Sequence, residues 1–275
     1  MNRYVLITGC STGIGYMAAL ELQQRGYNVI ASCRDAKDVA RLQQQGLTCI
    51  QLDLNDEQSI HQGVQRALQL SNHQLYALFN NGAYGQPGAI EDLPTAALRA
   101  QFEANFFGWH TLTTLLIPHF RQQGYGRIIQ NSSVLGFAAM KYRGAYNASK
   151  FAIEGWTDTL RMELQPSEIY ISLLEPGPIE TQFRANALTA FKRWINIDAS
   201  HHKHAYQLQL QRLANEQSGH PFTLSANACL APILHALEAK KPKARYRITL
   251  PTKLFAVLKR VLPTRLLDKI LIKAA

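Results

Sequence analysis

A glycine-rich turn near the N-terminus constrains this chain more than any other feature of its 275 residues. The run Thr8–Gly15, with the sequence TGCSTGIG, follows an apolar stretch and opens a helical pattern. Glycines at a strand-to-helix turn let the backbone approach a pyrophosphate, whose charge is favoured at a helix N-terminus. The turn therefore predicts dinucleotide binding; the alternative is a glycine-rich turn without a ligand. The residues predicted to contact the dinucleotide here are Gly9, Ser11, Thr12, Gly13, Ile14 and Gly15.

The alternation of strand and helix patterns continues beyond this turn. Short, continuously apolar runs are typical of parallel strands that are covered on both faces. We expect an α/β fold of the Rossmann type, a doubly wound parallel sheet of about seven strands with helices on both faces and a helical lid. The predicted strands are Tyr4–Thr8, Asn28–Ser32, Thr48–Leu52, Leu75–Phe79, Arg127–Gln130, Tyr170–Leu174 and Arg245–Leu250; the predicted helices are Gly15–Gln24, Ala36–Gln45, Gln58–Leu70, Gly144–Leu164 and Ala226–Ala239.

The domain organisation follows from composition along the chain. No internal repeat or low-complexity linker divides the sequence, so we expect one dinucleotide-binding catalytic domain over residues 1–275. Residues 182–219 are polar and rich in Gln, His and Asn, and a long insertion of this kind predicts a substrate lid. Residues 252–275 form a basic amphipathic C-terminal extension.

The formal net charge of +10 is concentrated in that C-terminal region. Residues 240–275 hold eleven of the 29 Lys and Arg and only one of the 19 acidic residues, so the rest of the chain is balanced. A general nucleic-acid-binding surface is therefore not supported. Leu254, Leu258 and Val261 share a helical face among cations, which would suit an anionic membrane surface. Docking on the sheet edge or on a partner subunit is the interpretation we favour.

Three patterns bear on location and metal binding. No apolar run is long enough to span a membrane, and the N-terminus lacks a signal-peptide pattern, which predicts a cytoplasmic protein. The four cysteines are scattered and are expected to be buried thiols. His201, His202 and His204 lack accompanying carboxylates or cysteines, so no metal site is predicted.

The end of the second strand selects the dinucleotide. An acidic residue there would bind the ribose 2′-hydroxyl of NAD, but this chain has Cys33 followed by Arg34. A guanidinium can bind a 2′-phosphate through paired hydrogen bonds, so the sequence predicts NADP(H) as the cofactor. The alternative is that Arg34 is solvated, or is paired with Asp35 or Asp38.

A tyrosine and a lysine four residues apart, Tyr146 and Lys150, share one face of a predicted helix. A cation about 4 Å from a phenol is worth roughly 4 kcal/mol at an effective dielectric near 20, enough to bring its pKa from about 10 towards neutrality. Tyr146 would then serve as a proton donor at neutral pH. The pattern alone is weak, because such pairs occur by chance on ordinary helices.

Further motifs follow the other strands in order. They are Asp53-Leu54, Asn80-Asn81-Gly82-Ala83, Asn105, Ser133 and Pro176–Thr181. With these motifs the chain resembles the short-chain dehydrogenase/reductase family, in its single-domain branch, over nearly its whole length. The family usually reads Asn-Asn-Ala-Gly where this chain exchanges the last two residues. Both are small, so we expect cofactor binding to persist.

The resemblance implies a role for each matched residue. Ser133 stabilises charge on the carbonyl oxygen and Tyr146 gives that oxygen its proton. Lys150 lowers the pKa of Tyr146 and holds the nicotinamide ribose, while Asn105 anchors a water that links Lys150 to solvent. Ser132 competes with Ser133, and Asn105 could instead cap or kink its helix. The remaining implied cofactor contacts are Asp53, Leu54, Asn81, Gly82, Tyr146, Lys150, Pro176, Gly177, Ile179 and Thr181.

The substrate is expected to be a hydrophobic carbonyl or alcohol compound. The chain is most similar to bacterial NADP-dependent aldehyde reductases, and also to hydroxysteroid and retinol dehydrogenases. The leading hypothesis is a reductase; the alternatives are a retinol- or steroid-type alcohol dehydrogenase, and a redox sensor that binds the dinucleotide as a signal. A sensor predicts a degraded catalytic tetrad, whereas the family's tetrad, Asn105, Ser133, Tyr146 and Lys150, is complete here. The resemblance also implies a homodimer or homotetramer. Residues that would line an apolar pocket, or else pack the lid, are Tyr84, Leu135, Phe137, Met140, Tyr142, Phe183, Phe191 and Trp194.

Overall fold

A seven-stranded, wholly parallel sheet forms the centre of the protein in a computed structural model, which describes residues 3–214 and 221–274. The strand order is β3-β2-β1-β4-β5-β6-β7, so the fold prediction is confirmed. The strands are β1 (Tyr4–Ile7), β2 (Asn28–Cys33), β3 (Thr48–Gln51), β4 (Leu75–Asn80), β5 (Gly126–Asn131), β6 (Ile169–Glu175) and β7 (Arg245–Arg247).

Helices cover both faces of this sheet because consecutive strand residues point to opposite sides. Ile7 of β1 belongs to an apolar layer with Leu22 and Ile233, whereas its neighbour Leu6 belongs to a second layer with Trp109 and Ile153. The helices are α1 (Gly13–Gln24), α2 (Ala36–Gln44), α3 (Glu57–Leu70), α4 (Thr95–Phe102), α5 (Gly108–Gln123), α6 (Gly144–Glu163), α7 (Phe183–Trp194), α8 (Lys203–Ala214), α9 (Leu230–Glu238), α10 (Leu250–Val261) and α11 (Thr264–Ala274).

The strand order reverses between β1 and β4, which run side by side with Ile7 opposite Phe79. The connections from these two strands leave in opposite directions, which opens a crevice at their carboxyl ends. Thr8 lies at the mouth of this crevice, and its amide donates to the carbonyl oxygen of Phe79 at 3.0 Å. The crevice is where a doubly wound sheet binds its ligand.

The last strand is shorter than the predicted Arg245–Leu250. It ends at Arg247, because the Thr249 side chain accepts a hydrogen bond from the Thr252 amide and so caps α10. Pro251 in the first turn suits a helix start, since its missing N–H would lack a partner there anyway. Leu250 is therefore helical rather than extended.

The predicted lid, residues 182–219, contains α7 and α8, and its last residues, 215–219, lie outside the described residues. The Tyr206 hydroxyl donates to Asp92 and accepts from the Ala89 amide. The Phe191 ring lies 5.0 Å from the Tyr206 ring, and the Tyr142 ring lies 5.9 Å from it. Phe191 and Tyr142 therefore pack the lid segment against the body of the protein.

The C-terminal extension, which includes α10 and α11, docks on the loop that follows β5. Phe255 and Leu271 are buried in a cluster with Leu135 and Tyr146. Leu254, Leu258 and Val261 lie on α10 as predicted, with Leu258 half-buried and the other two exposed. All four cysteines are buried thiols, as expected. Among the described residues, no helix is both long and apolar enough to cross a membrane.

Candidate active site

The glycine turn is compressed to a point where side chains do not fit. Gly9 and Gly13 have φ angles of +68° and +65°, and a Cβ on Gly9 would lie 2.5 Å from the Cα atom of Gly82. Within the described residues, the Thr12 side chain forms no capping hydrogen bond at the start of α1. The amides of the first turn therefore remain available to an acceptor, which is the arrangement that a dinucleotide pyrophosphate requires.

A hydrogen-bond network holds the ends of β1, β4 and β5 together beside this turn. The Thr8 hydroxyl oxygen accepts from the amides of Asn81 and Gly82, both at 2.9 Å. The Asn81 side chain donates to the Gly9 carbonyl at 3.1 Å and accepts from the Asn131 amide group at 2.8 Å. The predicted cofactor residues Gly9, Asn81 and Gly82 are therefore brought into one rigid cradle.

The exchanged residues Gly82 and Ala83 fit this cradle. A Cβ on Gly82 would lie 3.0 Å from the Cδ1 atom of Leu54 and 3.3 Å from the Gly9 nitrogen. Glycine therefore occupies a closely packed position beside the turn, and the Trp109 indole donates to its carbonyl oxygen at 2.8 Å. No sequence pattern pointed to Trp109, because an aromatic residue on a helix most often packs in the core.

Two arginines flank the crevice at the end of β2. The Arg34 side chain is 64% exposed and lies 3.4 Å from Asp35, while Cys33 is buried. Arg41 donates to the Ser11 carbonyl at 2.7 Å and pairs with Asp38 at 2.9 Å. Asp38 is thus engaged by Arg41 rather than by Arg34. No sequence motif marked Arg41, since only the fold places α2 against the glycine turn.

Asp53 and Leu54, the predicted adenine-side residues, are held by their own loop. The Asp53 carboxylate accepts from the backbone amide and the side chain of Asn55, at 3.0 and 2.9 Å. Leu54 is buried between two glycines, and a Cβ on Gly108 would lie 2.2 Å from the Leu54 carbonyl oxygen. Leu54 borders the crevice, since a Cβ on Gly82 would lie 3.0 Å from its Cδ1 atom.

The loop after β6 joins the glycine turn to the predicted catalytic residues. The Pro176 carbonyl accepts from the Val134 amide at 2.8 Å, and Ile179 forms a bridge with Leu224. A Cβ on Gly13 would lie 3.0 Å from the Thr181 methyl group. Gly177 contacts the start of α10, since a Cβ there would lie 2.1 Å from the Thr249 hydroxyl.

Tyr146 lies at this junction, nearly buried beneath a ring from the predicted lid. The Phe183 ring packs edge-on against the Tyr146 ring at 5.3 Å. The Ser133 side chain acts to lower the pKa of the Tyr146 phenol, and the Ser132 side chain acts to lower that of Glu154, against the effect of burial in each case. The structure thus places Ser133, rather than Ser132, beside the phenol.

Lys150 lies one turn further along α6. Its ammonium group donates to the Asn131 carbonyl at 2.7 Å, and lies 4.4 Å from the Trp109 ring and 5.6 Å from the Tyr146 ring. Spacing alone predicted that Lys150 and Tyr146 would be neighbours. The direction of the ammonium group, towards a backbone carbonyl, was not predictable from spacing.

The pKa values of this pair differ from the expected ones. Burial raises the pKa of Tyr146 to about 12, while Ser133 and the charge of Arg143 act to lower it. Burial lowers the pKa of Lys150 to about 7, with Glu154 acting in the opposite direction. The expectation of a near-neutral phenol is therefore wrong for this arrangement. Desolvation disfavours the charged form of both groups, and the α6 spacing says nothing about desolvation.

Asn105 lies in a π-helical turn, Glu103–Phe107, that interrupts the path from α4 to α5. Its amide group donates to the Tyr84 carbonyl at 2.9 Å and to the Ser149 hydroxyl at 3.3 Å, and its oxygen accepts from the Tyr84 amide. Turns of this kind are frequent at functional sites. Asn105 reaches the residue next to Lys150, and its water-anchoring role stays a prediction.

A buried charge cluster behind Lys150 was missed in the sequence. Glu154 and Asp158 continue the face of Tyr146 and Lys150 along α6. Arg245 contacts Glu154 at 3.1 Å, Asp158 at 2.6 Å and Glu175 at 3.0 Å. Burial raises the pKa of Glu154 to about 7. The four-residue spacing of the carboxylates was a usable signal, but their partner comes from a strand 87 residues later.

The histidine-rich stretch of the predicted lid engages in ordinary contacts. His202 contacts the Glu91 carboxylate and stacks edge-on with Tyr142 at 5.5 Å. Over residues 3–214 and 221–274, no three His, Cys, Asp or Glu side chains converge in a way that would hold a metal ion.

Known proteins resemble this chain in sequence. A family model described as short chain dehydrogenase matches residues 3–191. The uncharacterized oxidoreductase YbbO of Escherichia coli K12 is 42% identical over 271 residues, which covers 98% of this chain and 94% of that protein. Human retinol dehydrogenase 8 is 36% identical over 196 residues, covering 68% and 62% of the two chains.

A solved structure also shares the fold. A short-chain dehydrogenase/reductase from Burkholderia phymatum, in complex with NAD, superposes with a TM-score of 0.79. The superposition covers 93% of this chain and 92% of that chain at 23% sequence identity. At this identity the likeness establishes the arrangement of strands and helices.

Proposed function

The chain belongs to the short-chain dehydrogenase/reductase family, whose members are oxidoreductases acting on alcohol and carbonyl groups, and on this premise we propose that it is an NADP(H)-dependent reductase of hydrophobic aldehydes or ketones. The observation that carries the proposal is the pairing of the Ser133 side chain with the Tyr146 phenol, whose pKa Ser133 acts to lower against the effect of burial. It lies where the loop after β6 meets α6. Two hydroxyls at one point can serve a single carbonyl oxygen.

Each residue of the site has a proposed task. When bound, the nicotinamide supplies hydride to a carbonyl carbon or accepts it in the reverse direction. Ser133 donates a hydrogen bond to the oxygen where negative charge develops, and Tyr146 delivers a proton to that oxygen. Lys150 restores the phenol proton and binds the nicotinamide ribose. Asn105 links this lysine to solvent through the Ser149 side of α6.

The preference for NADP(H) rests on the end of β2. Cys33 stands where a carboxylate would bind a free ribose 2′-hydroxyl, and Arg34 makes one long contact, with Asp35. Arg41, at the Ser11 carbonyl, adds a second guanidinium to the same end of the crevice. Two cations and no strand-end carboxylate favour a 2′-phosphate. The NAD held by the Burkholderia phymatum protein carries little weight at 23% identity.

The proposed substrate site is apolar. Leu135, Phe137 and Met140 belong to the cluster around Tyr146, and Phe183 covers it from the predicted lid. This composition supports a hydrophobic substrate and a lid function for residues 182–219. The single seven-stranded sheet supports one catalytic domain over residues 1–275.

The proposed partners are a small carbonyl or alcohol compound, a second copy of the chain and a membrane surface, with no nucleic acid. A groove of about 510 Å³ between α5 and α6, lined by His110, Ile117 and Trp156 among others, supports the homo-oligomer. The C-terminal extension, residues 252–275, supports the membrane contact. The buried free thiols suit a reducing compartment and so support a cytoplasmic location.

A second candidate is an alcohol dehydrogenase that oxidises a retinoid or steroid. The 36% identity to human retinol dehydrogenase 8 favours it. Arg34 and the NADP(H) preference favour reduction instead, because cellular NADPH pools usually drive reduction. A redox sensor is the weakest candidate, since the proposed tetrad is complete.

The test is a panel of hydrophobic aldehydes, ketones and alcohols, assayed with NADPH or NADH at the nicotinamide absorbance. We expect NADPH-linked reduction, and Arg34→Ala should lower kcat/KM with NADPH by about tenfold to a hundredfold and spare the rate with NADH. Arg25→Ala, on the far end of α1, is the matched control. Activity with NADH alone would refute the cofactor assignment. Retinol or steroid oxidation alone would favour the second candidate, and tight NADPH binding without turnover would favour a sensor.

A further inference from the structure

The helix α10 is apolar on two opposite sides. Thr252, Phe255 and Ala256 are buried on its inner side, against the body of the protein. Its outer side carries Leu250, Leu254, Val257 and Val261, which are 52–65% exposed. At 100° per residue these four side chains fall within one narrow stripe. A surface helix normally presents polar residues outward, so a second apolar stripe indicates a covering partner.

The charge around this stripe identifies the partner. From Leu250 to Lys273 there are six Lys or Arg and one acid, Asp268, and all six cations are exposed. Lys253 and Arg260 lie along one edge of the stripe. In a symmetric contact with a second copy, these cations would face like charges. An anionic bilayer surface instead takes up the apolar stripe and attracts the cations.

The stripe is also adjacent to the proposed site. The buried side of α10 packs with Leu135 and Tyr146, and Thr249 at its start contacts Gly177. On α11, Leu271 joins the same cluster while Leu266 and Ile272 are exposed. The inner face of the two helices therefore packs against the proposed site, and their outer face is an exposed surface that is both apolar and basic.

We propose that the outer surface of α10 and α11 binds an anionic membrane surface and collects hydrophobic substrate from the lipid phase. The surface itself is independent of catalysis, whereas the collection of substrate rests on the proposed function. Aldehydes or ketones dissolved in the lipid would enter the proposed substrate site beside Leu135, in the loop that follows β5, without passing through bulk water.

Vesicle sedimentation with the full chain tests the surface. Wild type should bind phosphatidylcholine vesicles that contain phosphatidylglycerol, and bind pure phosphatidylcholine much more weakly. Lys253→Glu/Arg260→Glu should weaken binding to the anionic vesicles by about thirtyfold or more. Leu254→Ser/Val257→Ser should weaken it by about tenfold or more. Arg66→Glu/Lys241→Glu, an equal charge change at exposed positions elsewhere, should retain most of the binding.

A second readout separates the two parts of the proposal. Turnover of a short water-soluble aldehyde should be the same in wild type and Leu254→Ser/Val257→Ser, which also verifies folding. Turnover of a long-chain aldehyde presented in anionic vesicles should fall in the variant. Vesicle binding without turnover of any carbonyl compound would support the membrane-binding role of α10 and α11 and would refute the proposed reductase function. Equal vesicle binding by wild type and both double variants would overturn the surface, as would a concentration-dependent dimer that the serine variant abolishes.

Discussion

The two halves of α6 carry ionisable residues along one line, yet these residues are satisfied in different ways. In the first half, the Tyr146 hydroxyl meets Ser133 and the Lys150 ammonium meets a backbone carbonyl. In the second half, Glu154 and Asp158 both reach the guanidinium of Arg245. The first pair is held by neutral groups, and the second by opposite charge.

This difference separates function from structure within one helix. A buried charge with an opposite charge beside it is already compensated and has little left to offer a ligand. The Tyr146 hydroxyl and the Lys150 ammonium group have polar neighbours rather than a counter-charge in direct contact, so they can respond to a ligand or a charge brought near them. The first half of α6 therefore has the electrostatic character of a reaction site, while the second half anchors β6 and β7.

The largest expected effect is on catalysis in the first half. Lys150→Met should lower kcat/KM for NADPH-linked reduction by about a thousandfold, because the ammonium group is lost. Its thermal stability should hold or rise, since a buried charge is replaced by an apolar chain of similar length. Steady-state kinetics and calorimetry check both. Lys243→Met, at an exposed site, serves as the control. If Lys150→Met lost as much free energy of unfolding as transition-state stabilisation, Lys150 would have a structural role like that of Glu154.

The next effect is on stability in the second half. Arg245→Met should lower the free energy of unfolding by about 3 kcal/mol, because Glu154 would lose its counter-charge and Glu175 would keep only Arg247, at 3.1 Å. Arg161→Met, which removes a more exposed partner of Asp158, should cost less than about 1 kcal/mol. Denaturant unfolding compares the two. Equal losses of unfolding free energy in the two variants would show that the burial of the Arg245 ion pairs does not increase their contribution to stability.

The smallest effect is a pH dependence at the boundary between the halves. The pKa of Glu154 is raised from 4.5 to about 7, so the folded protein keeps a proton that the unfolded chain releases. This contribution to stability is complete below pH 4.5 and disappears as the pH rises through 7. In Glu154→Gln, the loss of stability over that window should be reduced, as measured by denaturant unfolding at a series of pH values.

Asp158→Asn is the control for this pH effect. The pKa of Asp158 is lowered by its contacts with Arg245 and Arg161, against the effect of burial, so its contribution is gained above its unfolded pKa and lost at lower pH. Its removal should leave the slope between pH 4.5 and 7 nearly unchanged. An identical slope in wild type and Glu154→Gln would refute the raised pKa.

The sequence predicted the first half of α6 better than the second. Tyr146, Lys150 and Ser133 lie within one short stretch of chain, and the glycine turn and apolar strands fix where that stretch sits. Arg245 acts on α6 only because β7 pairs with β6, a contact that no local pattern encodes. The strand end at Arg247 was also mispredicted, since the Thr249 cap outweighed the apolar character of Ile248 and Leu250.

The pKa values of the site were beyond sequence reasoning for a related physical reason. Helical spacing gives the proximity of Tyr146 and Lys150, but their pKa values depend on how much water each retains. Phe183 from the predicted lid packs on Tyr146, Phe255 from α10 lies in the same cluster, and the Trp109 ring lies over Lys150; all three are distant from the pair in the chain. The same reason explains why the sequence left the roles of the lid aromatics open.

If the Tyr146 phenol delivers the proton, removal of its hydroxyl group should stop turnover and spare cofactor binding. Tyr146→Phe and the control Tyr125→Phe, at an exposed position, are assayed for NADPH-linked reduction of a hydrophobic aldehyde and for NADPH binding. We expect Tyr146→Phe to lose about a thousandfold in kcat and to bind NADPH within a few-fold of wild type, with Tyr125→Phe unchanged. Full activity of Tyr146→Phe would show that another group delivers the proton.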